Sequence, residues 1–148
     1  MPNIARSIAA EIVTVLNAGT WSKTFTAERI YDVRVYRDQL DTLKVGVIAV
    51  SQHPDRASRS QTQETIEVDI AVRQHVDSAT PTHVDPLMDL LQELLDHFMT
   101  VPGRKLPSGA VVSKAATVGG SVAGMFVGDL ETLDVFTGVV RLTVLAVH

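Results

Sequence analysis

The sequence predicts an α+β domain: a mainly antiparallel sheet with two principal helices, in the order α-β-β-β-α-β-β-β. Three observations carry that prediction. Apolar residues recur at steps of three and four in the first 17 residues, and again from Leu87 to Phe98. In residues 63–74, Ile66, Val68, Ile70 and Val72 alternate with Glu67, Asp69, Ala71 and Arg73, the period of a half-buried strand. The strand-like runs also follow one another without helical patterns between them, which fits hairpins better than βαβ units. With 148 residues, 45% hydrophobic and 20% charged, the chain reads as a single globular domain, 1–148, without a linker, repeat or low-complexity tract.

Each element has a local signal. Residues 3–17 place Ile4, Ala5, Ile8, Ala9, Ile12, Val13 and Leu16 on one helical stripe. Asn3 is the expected N-cap, and Asn17-Ala18-Gly19 the expected stop, with Gly19 free to turn left-handed. Residues 24–36 are extended in expectation, since Phe25, Tyr31, Val33, Val35 and Tyr36 supply strand-favouring side chains. Residues 42–50 are apolar at nearly every position, as in an inner strand. Residues 51–62 have no apolar period and read as a long loop, and a second loop covers 76–83.

The second helix is expected to start with Asp85 as N-cap and Pro86 in the first helical position, where its missing N–H costs nothing. Its buried stripe is Leu87, Leu90, Leu91, Leu94, Leu95 and Phe98, and Val101-Pro102-Gly103 ends it. The last third is β: a strand opens at Ala110-Val111-Val112, Gly119-Gly120 marks a turn, and Met125-Phe126-Val127 reads as a short return strand. A long terminal strand, 133–147, has even positions that are almost wholly apolar and odd positions that are mixed.

Composition excludes several function classes. The absence of cysteine rules out disulfides, thiolate zinc sites and cysteine nucleophiles. No run approaches the length of a spanning helix, and the first residues lack the apolar core of a signal peptide. A net charge of −4 argues against a dedicated nucleic-acid binder.

Chemical motifs fail on geometry. Gly119 to Gly124 lacks the lysine of a phosphate-binding loop. The same stretch is a near miss to a nucleophile elbow at Ser121, with Asp129 or Asp134 and then His148 in order, but no helix follows the serine. His53, His75, His83, His97 and His148 have no metal-site spacing, so no metal and no cofactor is expected. His97 is read as complementing a helix C-terminal dipole. Asp129, Glu131 and Asp134 read as solvated capping acids. Arg56 and Arg59, in the polar loop, are candidates to face a partner. Val135, Thr137, Val139 and Arg141, on the mixed face of the terminal strand, are candidates for a subunit interface, because two helices do not cover both faces of the sheet.

Several stretches together resemble the small tail-completion or tail-terminator (neck) proteins of long-tailed bacteriophages. These are the opening helix running into Leu16-Asn17-Ala18-Gly19, the segment Phe25 to Tyr31, and Leu40 to Ile48. After them come the alternating strand, the leucine-rich helix, Leu130 to Gly138, and Arg141 to Val144. Ala110 to Gly128 departs most from the pattern. The resemblance implies an α+β subunit with no catalytic residues. Such a subunit self-associates into a ring, typically hexameric, that caps the tail tube and docks the head connector. It would be made in the host bacterial cytoplasm and act in the virion neck, with no membrane and no specific nucleic acid among its partners. An acidic ring also suits DNA that must slide through it, since tight phosphate contacts would retard passage. The alternative is a small cytosolic ligand-binding protein or hydrolase with a pocket under the long loops. A regulatory interaction module is a third reading.

Overall fold

A computed structural model describes residues 3–32, 42–56, 59–76, 81–118 and 135–147. The first helix, α1 (Ile4–Ala18), starts where expected: the Asn3 side chain accepts the Arg6 N–H at 3.0 Å, satisfying one donor that the helix cannot. Ala5, Ile8, Ala9, Ile12 and Leu16 form its buried stripe. The stop differs from expectation. Gly19 is extended, at φ −80 and ψ 164, and not left-handed. Its use is room, since a Cβ there would lie 2.8 Å from the Trp21 ring. Trp21 in turn donates its indole N–H to the Leu16 carbonyl at 2.8 Å and closes the helix end.

Strands β1 (Ala27–Arg29), β2 (Lys44–Arg56), β3 (Thr62–His75), β4 (Val111–Thr117) and β5 (Val135–Val147) form one sheet in the order β1-β2-β3-β5-β4. β1 runs parallel to β2, and every other pairing is antiparallel. The α+β class with a mainly antiparallel sheet is therefore observed. Asn17 fixes β1 against α1 by mimicking a peptide unit: its amide donates to the Ala27 carbonyl at 3.1 Å, and its oxygen accepts the Ala27 N–H at 2.8 Å. Within the expected extended segment, only Ala27–Arg29 is a described strand, and residues 33–41 lie outside the described residues. The Gly119-Gly120 turn and the Met125–Val127 return strand also lie outside them.

Two boundaries are corrected. Most of the run expected as a loop at 51–62 is strand, because β2 continues to Arg56 and pairs there with Thr62. His53 and Pro54 are exposed, so this arm of the hairpin is held by backbone pairing and shows no apolar period. Pro54 lies beyond Val45–Val47, the stretch that β1 pairs with, which is where a residue without an N–H is tolerated. The second helix, α2 (Pro81–Met99), starts earlier than predicted, with Asp85 and Pro86 inside it. Pro86 removes one bond, to the Thr82 carbonyl. The helix persists because Leu87, Leu90, Leu91, Leu94 and Phe98 are all at most 2% exposed.

A single turn, α3 (Val101–Arg104), folds back on the end of α2. Gly103 is required there, since a Cβ would fall 1.9 Å from the His97 carbonyl oxygen. A tight turn then leads into β4: the Leu106 N–H donates to the Ala110 carbonyl at 2.8 Å, with Gly109 at φ +95.

Both long helices share one core with a single face of the sheet. Phe136, Val140, Leu142 and Val144 of β5 join Ile66, Val68, Ile70 and Val72 of β3 and Val45 and Val47 of β2, all fully buried. Gly138 lets α2 approach the middle of this face, because a Cβ there would lie 2.4 Å from Leu91 Cδ1.

Candidate functional site

The interface residues expected from the terminal strand lie on the opposite face of the sheet. Along β5 this face changes from dry to wet. Val135 is 6% exposed and packs with Ile30 and Ile48 in a small apolar cluster separate from the main core. Thr137 is also buried, and its hydroxyl accepts the Arg73 Nε–H at 3.1 Å. Val139 is half-buried. Arg141 is held by Asp69 through two bonds, from Nε at 2.7 Å and Nη2 at 3.0 Å, with Glu67 at 4.0 Å. That fork raises the Arg141 pKa, chiefly through the hydrogen bond to Asp69, and keeps the group charged. The strand register explains the arrangement, since Arg73 lies opposite Thr137 and Asp69 opposite Arg141 on neighbouring strands. Val135, Thr137 and Arg141 thus already have partners within the chain.

Farther along, the face opens at Leu145 and Val147, beside Val111, which pairs in register with Leu145. Val147 is 55% exposed and Val111 40%. With Ile4 and Ile8 of α1 and Ala146, they border an apolar groove of about 680 Å³ at the end of the sheet. One wall is fixed by Glu11, which accepts the Ser108 N–H at 2.6 Å and the Ser108 hydroxyl at 2.9 Å. The periodicity of the terminal strand marked this face, and the exposed part of it lies beyond the residues the sequence singled out. Which end is open is decided by what packs on Val135 and Thr137, and the strand's own pattern does not carry that information.

Of the polar-loop pair, Arg56 ends β2, and Arg59 lies exposed in the connection to β3. His97 lies in the last turn of α2, as expected, but its ring packs edge-on between Trp21, at 5.3 Å, and Phe98, at 5.0 Å. Burial pushes its pKa down. His75 and His83, remote in sequence, border a common depression of about 340 Å³ with Lys23. Two histidines beside a cation do not form a metal set, and among the described residues no group of three or more potential ligands converges. Ser121, Asp129, Glu131, Asp134 and His148 lie outside the described residues.

A second concavity, of about 410 Å³, lies where the start of α1 meets β1 and the bulged part of β2. It gathers Arg6, Arg29, Tyr31 and Ser51, with no sequence spacing to announce the grouping. Among the described residues no helix is long and apolar enough to cross a membrane. No protein-family model matches the sequence, and no curated protein matches it either.

Proposed function

We propose that the chain is a structural subunit of virion assembly, of the tail-terminator or head–tail joining kind. In this reading it self-associates into a ring, of six copies by analogy with the family it resembles. The ring caps the tail tube, docks the head connector and acts in the virion neck. It is not an enzyme and holds no cofactor. Its partners are further copies of itself and the proteins of tube and connector.

The observation that carries this reading is the apolar groove at the end of the sheet. Val147 and Val111 are exposed beside it, at 55% and 40%, whereas the strand valines of the main core, Val45, Val47, Val68, Val72, Val140 and Val144, are at zero exposure. Contiguous exposed apolar surface on a small domain marks a place where another protein docks. The α+β architecture, with both long helices on one face of the sheet, is consistent with the same reading. Negative-stain microscopy of the purified chain with isolated tail tubes tests it. Ring-shaped density at tube ends is the expected result; a chain that stays monomeric and leaves the tubes bare overturns it.

A further inference from the structure

The concavity between α1, β1 and β2 gathers two guanidiniums that no carboxylate among the described residues neutralises. Arg6 has no carboxylate partner among the described residues, and Arg29 has only the Tyr31 hydroxyl, to which its Nη1 donates at 2.8 Å while its guanidinium lies 5.2 Å from the Tyr31 ring centre. The first turn of α1 contains no acidic residue, so the positive end of its dipole adds to the two guanidiniums. Both arginines also lower the Tyr31 phenol pKa, Arg29 first by its hydrogen bond and then by its charge.

The floor of the cleft is shaped by an irregularity in β2. Ala49 pairs with Val68 and Ser51 with Glu67, so Val50 is the extra residue of a β-bulge, a feature that re-aims neighbouring side chains. Ser51 borders the cleft through the rest of the residue; its hydroxyl oxygen is closed off from solvent and has no hydrogen-bond partner among the described residues. Ile30 and Val50 add apolar surface beside these polar groups. The volume, about 410 Å³, falls within the range of small-molecule sites, about 300–1,000 Å³.

We infer that this cleft binds a small oxyanion, a carboxylate or a phosphate, between Arg6 and Arg29, with any apolar body lying on Ile30 and Val50. Guanidinium forks suit both oxyanions. The inference does not depend on the assembly role, since the groove near Val147 and this cleft use different residues.

The test uses the 148-residue chain carrying Tyr36→Phe, in which Tyr31 is the remaining tyrosine. The isotope-labelled protein is titrated with inorganic phosphate, acetate and hexanoate, with chloride holding the ionic strength constant. Saturable amide shifts at Ala5, Arg29 and Ser51 are expected from at least one of them. The Tyr31 ionisation, followed by ultraviolet absorbance, should then move to higher pH, because a bound anion offsets the arginines. Saturation by phosphate alone assigns the site to phosphates; saturation by hexanoate more tightly than acetate assigns it to carboxylates with an apolar body. Arg6→Gln with Arg29→Gln should weaken binding about tenfold or more without lowering the melting temperature. If no anion saturates beyond the chloride effect, or if the double variant binds equally well, the inference is wrong.

Discussion

The two faces of the sheet are made by the same strands and obey different physics. On the helix-covered face, β3 and β5 present Ile66, Val68, Ile70, Phe136, Val140, Leu142 and Val144, all at 0% exposure. On the other face the same strands present Asp69, Arg73, Thr137 and Arg141, each engaged by a partner across the strands. The first face stabilises the fold through area removed from water. The second fixes register and leaves one end, at Val147, open for contact. A chain that needs only to be stable has little reason to keep exposed valines beside a groove. A subunit that docks has one.

Several substitutions would break or sharpen that contrast. The largest effect is expected on the helix-covered face: Phe136→Ala should cost about 3–5 kcal/mol, read as the shift in urea midpoint. Gly138→Ala follows, at about 1–3 kcal/mol, because the new Cβ meets Leu91 in a closed layer. On the other face, an alanine double-mutant cycle on Asp69 and Arg141 should give a coupling of only about 0.5–1 kcal/mol, falling as salt is added. The Arg141 side chain is 39% exposed and that of Asp69 15%, so solvent screens the pair. A coupling near that of the core substitution would erase the distinction between the faces.

The smallest effect is on pH dependence. Burial lowers the pKa of His97 in the folded chain, so the unfolded chain binds the proton more readily. Stability should therefore be full above the ordinary value of 6.5 and decline as the pH falls below it, levelling off beneath the folded pKa. His97→Gln should flatten that part of the stability–pH profile, measured by thermal melts at stepped pH.

What could be read in the sequence follows the same division. α1, β3 and the leucine stripe of α2 were legible because burial on one face imposes a period, and Asn3 capped its helix as its chemistry predicts. The end of β2 was not legible, because His53 and Pro54 are exposed and the pairing there uses backbone alone. The true start of α2 was hidden because Pro81 and Pro86 are both plausible first-turn prolines and only Val84 is buried between them. The face carrying Val135 to Arg141 was visible as a mixed pattern, but its partners Ile30, Arg73 and Asp69 come from other strands. The cleft was invisible for a related reason: Arg6, Arg29 and Ser51 meet only through the parallel pairing of β1 with β2 beside α1.

The groove at the end of the sheet, where α1 meets Val111 and Val147, is proposed as a docking surface between copies. Sedimentation velocity of the wild-type chain and of Val147→Asp, over a wide concentration range, tests it most directly. A multi-subunit species is expected for the wild type, and for the variant a 16.0 kDa monomer that melts at an unchanged temperature. A wild-type chain that sediments as a monomer throughout, or a variant that assembles as well as the wild type, would contradict it.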